Sequence, residues 1–361
     1  MLQVPFYDPT KSYDENYISG PYGEFANGHI YEQKGKSSFE FLGETVNLPF
    51  GIPAGPILNS NFAKAAFEKG FDLVVYKTIR SSIFPCHPHP NILPIELKGD
   101  LTLEKAKKQL KTKKQYSEPL SITNSFGVPS KEALIWQEDV KKAIAYAGRG
   151  QILILSFMGT VRPNQTGQEF IDDFALAAKQ SIETGAKILE VNLSCPNIGN
   201  EGLVCYNLDV TKKVLQAIRK VIGNTPLAIK IGYYEKDADL EKLAAIANEY
   251  ADDVSGINTI PAEVVNEKGE QALPGPNRLK SGVCGHAIKW AGIDTVKRLR
   301  AIKDKKNYSF SITGVGGVTV AQDYFDYIKA GADSVMSATG AMWNPLLAVE
   351  IKDQIAKSKT R

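Results

Sequence analysis

The sequence predicts an α/β fold, a (β/α)₈ TIM barrel with an N-terminal arm and hairpin and a long insertion after the second strand. Two observations favour it: short apolar runs rich in β-branched residues recur eight times, and helical patterns with recognisable ends follow them. Parallel strands need crossover helices, and eight such units can close a sheet on itself. A doubly wound open sheet is the alternative architecture. The predicted strands are Phe50–Ala54, Asp72–Thr78, Ile152–Met158, Lys187–Leu193, Pro226–Ile231, Val254–Ile260, Tyr308–Thr313 and Asp333–Ser337.

The chain before the first strand is predicted to form an irregular arm over residues 1–38, ahead of a barrel domain over 39–361. The arm contains no apolar segment of signal-peptide or membrane-spanning length, and its acidic residues are not typical of a transit peptide. Ser38–Asn47 alternates apolar and polar residues around Gly43, a pattern that predicts a hairpin. The aromatic residues that we expect to pack the arm are Phe6, Tyr7, Tyr13, Tyr17, Tyr22 and Phe25.

The insertion, Ser81–Pro119, is long for a loop between a strand and a helix. It contains seven lysines between Lys98 and Lys114. Loops of this length in compact domains are usually functional or mobile.

Several helices have predictable ends. Thr166 with Glu169, and Thr319 with Gln322, match the capping-box pattern, and the second helix is expected to stop at Gly331. An apolar stripe at helical spacing predicts a helix that ends at Gly223, since glycine readily adopts the left-handed conformation of a helix terminus. Its residues are Val210, Val214, Ala217, Ile218 and Val221.

Composition limits the possible functions. The chain has 43 Lys and Arg against 40 Asp and Glu, for a net charge of +3, which gives no electrostatic reason to expect nucleic acid or an anionic membrane as a partner. Its four cysteines are far apart and form no C-x-x-C pair, so neither a disulfide framework nor an iron–sulfur site is indicated. These features favour a cytoplasmic protein with a small ligand.

Polar residues and glycines stand at the ends of the predicted strands, where a barrel places its active site. Lys77 and Lys230 lie in apolar runs, and burying a lysine is costly unless it meets an anion or a strong acceptor. Either one alone could be solvated just past its strand, but the pair indicates one shared anionic or electron-rich ligand. The other strand-end residues are Ala54, Gly55, Thr78, Asn192, Asn258, Thr259, Ala338 and Thr339.

Two glycine runs are candidate sites of close backbone approach to a ligand. Gly316 and Gly317 follow the seventh strand, where bare N–H groups and a helix N-terminus suit a phosphate. Gly282 and Gly285 precede another predicted helix. A tight turn explains either run equally well.

The hexapeptide Asn192–Asn197 places Cys195 between two carboxamides. A thiolate is accessible near neutral pH and can act as a base toward a carbon acid. Asparagine side chains offer donors and an acceptor to a planar polar ligand. The structural alternative is a strand that ends in a proline turn with a buried, inert cysteine.

This hexapeptide resembles the substrate loop of class 1 dihydroorotate dehydrogenases, and further matches extend in order from about residue 48 to about residue 345. The stretch Asn124–Pro129 is similar to the family's N-S-M-G-L-P loop. The resemblance implies an FMN site formed by Ala54, Gly55, Lys77, Thr78, Asn192, Lys230, Gly282, Gly285, Gly316, Gly317, Ala338 and Thr339. It implies a substrate site formed by Lys77, Asn124, Phe126, Gly127, Val128, Asn192, Asn197, Asn258 and Thr259.

The resemblance also implies a reaction, the oxidation of (S)-dihydroorotate to orotate in pyrimidine biosynthesis. Cys195 would take the proton from C5, and flavin N5 would accept the hydride from C6. Lys230 would stabilise charge on the reduced flavin, and Lys77 would orient the substrate. The family implies either a homodimer that uses fumarate or a partner iron–sulfur flavoprotein subunit that reduces NAD, and we favour the homodimer.

The sequence is also compatible with two other functions and with a metal site. A dihydropyrimidine dehydrogenase-like barrel would reduce uracil or thymine with a similar cysteine loop, although the four asparagines favour orotate. A non-catalytic flavin-binding barrel would not need Cys195, Lys77 and Lys230. A metal site at Cys86–His89 would need further ligands, and we expect no metal there.

Overall fold

The eight predicted strands form one closed parallel barrel in the computed structural model, which describes residues 2–33, 37–194 and 203–359. The barrel order is β3-β4-β8-β9-β10-β11-β14-β15, with β15 pairing back onto β3. The open-sheet alternative is therefore excluded. The strands are β1 Phe39–Phe41, β2 Glu44–Val46, β3 Phe50–Ile52, β4 Leu73–Arg80, β5 Ile92–Glu96, β6 Leu110–Thr112, β7 Ser121–Asn124, β8 Ile152–Met158, β9 Ile188–Asn192, β10 Leu227–Ile231, β11 Asp253–Gly256, β12 Ile260–Val265, β13 Lys280–Gly285, β14 Ser311–Val315 and β15 Ser334–Met336.

Helices connect the barrel strands. Two of their predicted ends are confirmed: Thr166 and Glu169 form a capping box at the start of α5, and Gly223 ends α6 with a φ of 57°. None of the helices in the described ranges is long and apolar enough to cross a membrane. The helices are α1 Tyr13–Ser19, α2 Ser60–Glu68, α3 Leu103–Ala106, α4 Ala133–Ala145, α5 Gly167–Ile182, α6 Leu208–Ile222, α7 Asp237–Tyr250, α8 Lys289–Lys306, α9 Ala321–Ala330, α10 Thr339–Trp343 and α11 Leu347–Lys359.

The second predicted capping box, Thr319 with Gln322, is wrong, because the helix is capped at Val320 with Asp323 as its partner. The Asp323 carboxylate accepts hydrogen bonds from the backbone N–H groups of Thr319, at 2.7 Å, and Val320, at 3.0 Å. The helix begins one residue later than predicted, so Asp323 and not Gln322 occupies the third helical position. Gln322 instead donates to Asp326. The predicted stop at Gly331 is confirmed, with a φ of 106°.

The N-terminal arm is more regular than predicted, because it contains α1. Ser12 and Glu15 form a capping box at the start of this helix. Phe6 and Tyr7 are buried in the same core as the barrel helices. The Phe6 N–H donates to the Met342 carbonyl at 3.0 Å, which ties the arm to the short helix that follows the last barrel strand.

Two elements close the ends of the barrel. The predicted hairpin is confirmed as β1 and β2, and its Phe41 packs with Leu73 and Ile152, which lie at the amino ends of their strands. At the opposite end, the insertion supplies β5 and β6 to a second sheet that also contains β7, β12 and β13. The insertion is thus a folded part of the surface next to the strand ends.

A buried ion pair joins the last helix to the barrel. Lys352 Nζ lies 2.7 Å from Asp72 Oδ2, with side chains 10% and 1% exposed. Burial raises the pKa of Asp72, and Lys352 opposes that rise. We expect Lys352→Met to lower the free energy of unfolding by about 3 kcal/mol or more, because it leaves a buried carboxylate without its cation.

Equilibrium unfolding in urea measures this loss. Lys187→Met is the control, because the ion pair of Lys187 with Glu44 is 65% and 32% exposed. Exposed pairs contribute less than about 1 kcal/mol. A loss in Lys352→Met no larger than in the control would contradict the prediction.

Candidate active site

A cavity at the carboxyl ends of the barrel strands contains most of the predicted site. It lies between the barrel and the second sheet, since β7 and β13 contribute Asn124 and Gly282 to its wall. The predicted residues that line it are Ala54, Gly55, Lys77, Thr78, Asn124, Phe126, Gly127, Val128, Asn192, Lys230, Asn258, Thr259, Gly282, Ala338 and Thr339.

Two predicted residues, Cys195 and Asn197, lie outside the described residues. The chain reaches this segment through Ser194, which is 1% exposed. The Ser194 N–H donates to Asn192 Oδ1 at 3.1 Å, and Asn258 Nδ2 donates to the Ser194 carbonyl at 3.1 Å. Two of the predicted substrate-binding asparagines therefore also fix the backbone immediately before Cys195.

Three predicted glycines, Gly285, Gly316 and Gly317, are not part of the cavity lining. All three have positive φ, and a Cβ on Gly285 would lie 2.3 Å from the Leu120 carbonyl oxygen. A Cβ on Gly317 would lie 2.5 Å from the backbone nitrogen of Lys289. Close packing of one chain segment on another is thus sufficient reason for glycine at these two positions, and their contact with a cofactor stays a prediction.

Lys230 is the central charge of the site. It is 5% exposed, lines the cavity and pairs in register with Asn192. Among the described residues, no hydrogen bond is made by its Nζ. Burial lowers the pKa of Lys230, while the negative charges of Glu190 and Asp253 oppose that shift. A buried ammonium that is partnered only at longer range is suited to an electron-rich ligand in the cavity.

The two acidic residues form a buried layer beneath Lys230. Glu190 stands two residues before Asn192 on the same strand, and burial raises its pKa while Lys230 opposes the rise. Burial raises the pKa of Asp253 to about 7, although hydrogen bonds from Ser311 and Thr313 counter that effect. Sequence analysis missed both residues. For Glu190 a signal was available, because it lies inside an apolar run, as Lys77 and Lys230 do.

The segment Asn124–Ser130 is separate from the hexapeptide Asn192–Asn197, and its residues 124–128 line the cavity. We call it the substrate loop, because its similarity to the N-S-M-G-L-P loop implies contact with the substrate. Arg80, which is 4% exposed, donates to the carbonyl of Gly127 at 3.1 Å and to that of Val128 at 2.9 Å. Val128 has a φ of 53°, which is unusual for a β-branched residue. The loop is therefore held in one conformation by a buried guanidinium that lies outside the family motif.

Other cavity residues were not predicted. Tyr7 belongs to the arm, and Met342 to the short helix after the last barrel strand. Cys284 provides a thiol, whose pKa is raised by burial. No sequence signal identified these residues, because each reaches the cavity through long-range packing.

The Cys86–His89 segment lies behind the substrate loop. In the described ranges, no group of three or more His, Cys, Asp and Glu side chains has the arrangement of a metal site. His87 Nδ1 lies 3.1 Å from Ser125 Oγ. The residue is thus engaged in a contact with the loop.

Comparisons with known proteins agree with this architecture. A family model described as Dihydroorotate dehydrogenase matches residues 108–358. A dihydroorotate dehydrogenase of Dictyostelium discoideum is 36% identical over 97% of this chain and 97% of its own. The catalytic subunit of dihydroorotate dehydrogenase B (NAD(+)) of Malacoplasma penetrans is 32% identical over 51% of this chain and 58% of its own. The crystal structure of DHODH from Eimeria tenella in complex with ferulenol is 19% identical, covers 93% of this chain and 89% of its own, and has a TM-score of 0.71.

Proposed function

This chain belongs to the dihydroorotate dehydrogenase family and oxidises dihydroorotate to orotate in pyrimidine biosynthesis, and we propose that its cavity holds FMN together with the substrate. The observation that supports this proposal most strongly is Lys230, a buried cation that lines the cavity with no hydrogen-bond partner among the described residues. The family is flavin-dependent; FMN as the particular flavin is our inference.

The cavity residues fit a planar, electron-rich cofactor. Gly55 lines the cavity with a φ of 138°, and no protein atom lies within 4 Å of the position that a Cβ would take. The space beside Gly55 is therefore available to a ligand. Lys230 offers a cation, while Asn192 and Thr339 offer polar side chains that also line the cavity.

The residues of the chain have separate roles in the proposed reaction. Bound FMN would accept the hydride from C6 of dihydroorotate. Cys195, as the thiolate, would take the proton from C5. Lys77, Asn124 and Asn258 would hold the carboxylate and the ring amides of the substrate, so that the two reacting carbons stay aligned. Lys230 would stabilise negative charge that develops on the cofactor.

Two other functions of the same barrel are less well supported. A reductase of uracil or thymine would not need a group for the substrate carboxylate, whereas Lys77 lines this cavity with Asn124 and Asn258. A non-catalytic flavin-binding protein would not need both buried lysines. Turnover with dihydroorotate but not with dihydrouracil would separate these possibilities.

We propose that the protein is a cytoplasmic homodimer that passes electrons to a soluble acceptor such as fumarate. The arm packs on the barrel and the insertion joins the second sheet, and we infer that the two cover surface that a partner subunit would need. Cys86, Cys205 and Cys284 are unpaired thiols, which supports a reducing compartment. If the purified chain needs NAD and a copurifying iron–sulfur flavoprotein for turnover, the acceptor proposal is wrong.

We predict that the purified protein is yellow and contains one noncovalent FMN per chain. Acid denaturation followed by chromatography of the released cofactor measures both its identity and its amount. Release of FAD, or no flavin under any expression condition, would contradict the proposed cofactor.

A further inference from the structure

His87 has no role in the reaction described above, yet its side chain lies directly behind the substrate loop. We propose that neutral His87 is a positioning residue for this loop, so that the protein binds its pyrimidine substrate or product less tightly when His87 is protonated. This inference rests on the proposed function, because it takes Asn124–Ser130 to be the substrate loop.

The loop is anchored from behind by Arg278, which is 1% exposed. A guanidinium has five N–H donors in a fixed plane. In Arg278 the guanidinium donates five hydrogen bonds to oxygen atoms. The acceptors are Ser125 O at 2.6 Å, Pro88 O at 2.8 Å, Pro90 O at 3.2 Å, Ser125 Oγ at 3.4 Å, and Pro274 O. Arg278 thus joins the loop to the segment that contains His87.

His87 contacts three consecutive residues of the loop. Its Nδ1 lies 3.1 Å from Ser125 Oγ, and its backbone N–H donates to the Phe126 carbonyl at 3.0 Å. A Cβ on Gly127 would lie 2.6 Å from His87 Nε2, so the imidazole ring packs against the Gly127 backbone. Phe126 and Gly127 in turn line the cavity, as do Ser125 and Asn124. A shift of the ring would therefore move the cavity wall.

The hydrogen bonds define which form of His87 fits. Arg278 Nε can only donate, so Ser125 Oγ accepts from it and can direct its own hydrogen at His87 Nδ1. This arrangement needs an unprotonated Nδ1. Protonation would reverse the bond and leave the Ser125 hydroxyl hydrogen without an acceptor among the described residues.

The charges around His87 also favour its neutral form. Partial burial lowers the pKa of His87, and the positive charges of Arg278 and Arg80 lower it further. The adjacent Cys86 is neutral near pH 7, because burial raises its pKa to about 11. The remaining ionisable groups on the cleft that His87 lines are Tyr13, Asp14, His89 and Lys131.

The expected pH dependence follows from these contacts. A histidine whose pKa is lowered is neutral at neutral pH, and the contribution of its neutral form is lost as the pH falls through that pKa. Because the pKa of His87 is lowered, orotate affinity should decline at a pH that lies below the ordinary histidine pKa of about 6.5. The carboxylate of the ligand stays ionised over this range.

The test measures the dissociation constant of orotate from the flavin-loaded protein, followed by the flavin absorption spectrum, between about pH 7.5 and about pH 5. Natural protein should bind more weakly as the pH falls, approaching about tenfold per pH unit below the His87 pKa. His87→Asn keeps an oxygen acceptor near the Nδ1 position and does not titrate, so its affinity should be independent of pH. His89→Asn, an exposed histidine of the same segment, should behave as the natural protein does.

A pH-independent affinity in the natural protein, or the same pH dependence in His87→Asn, would overturn the inference. If His87→Asn does not fold, NMR measurement of the His87 pKa in the natural protein, with and without orotate, replaces this comparison. Because orotate is expected to bind the neutral form more tightly, saturating orotate should lower the pKa of His87. An unchanged pKa would overturn the inference. Failure of the natural protein to bind orotate at about pH 7.5 would instead contradict the proposed function itself.

Discussion

Cys195→Ala is expected to bind FMN and orotate normally and to reduce its flavin with dihydroorotate more slowly by roughly 10² to 10⁴, the range that general-base catalysis supplies. Removing the thiolate leaves no group of suitable pKa at this position to take the C5 proton. Rapid mixing under anaerobic conditions measures the rate of flavin reduction directly.

Cys284, whose thiol lines the cavity, provides the comparison. Cys284 Sγ lies 3.4 Å from both Asn124 Nδ2 and Thr339 Oγ1, and burial raises its pKa, so that less of it is present as the thiolate at neutral pH. Cys284→Ala should therefore slow reduction far less than Cys195→Ala does. Cys195→Ser should recover part of its activity at high pH, because a hydroxyl ionises less readily than a thiol. Near-normal reduction in Cys195→Ala at neutral pH would mean that another group is the base.

Lys230→Met is expected to lower the flavin reduction potential and to slow flavin reduction by roughly 10² to 10³, as the loss of a preorganised electrostatic contact does. Methionine has a similar length but no charge, so the negative charge of the reduced cofactor would lose its fixed cation. The same change leaves Glu190 and Asp253 buried without the positive charge that opposes the rise in the pKa of Glu190.

Redox titration with an indicator dye and anaerobic rapid mixing measure the two effects of Lys230→Met. Lys187→Met removes a lysine from the amino end of β9, where it forms an exposed ion pair, and should change neither quantity. An unchanged potential together with a normal rate in Lys230→Met would contradict the assigned role of Lys230.

The barrel could be predicted from sequence because each strand lies in a short, largely apolar run bounded by turn residues. Ile152–Met158 matches β8 to the residue. The strand predicted over Val254–Ile260 is less accurate, because β11 ends at Gly256 and Ile260 begins β12 of the second sheet. An apolar run does not reveal where the chain leaves one sheet for another.

The second sheet could not be predicted, since its pairings are long-range. Residues 282–285 of β13 pair with residues 121–124 of β7, which lie far away in the sequence. The site was predictable where polar residues interrupt apolar runs, as at Lys77 and Lys230. It was not predictable where a residue such as Arg278 acts from a segment without a recognisable pattern.

The most direct measurement for this account is the visible absorption spectrum of the purified protein before and after anaerobic addition of dihydroorotate. The account predicts that the yellow flavin band is present, disappears on mixing as orotate forms in equal amount, and persists when dihydrouracil is added instead. A flavin band that dihydroorotate leaves unchanged, or that dihydrouracil removes equally fast, would contradict it.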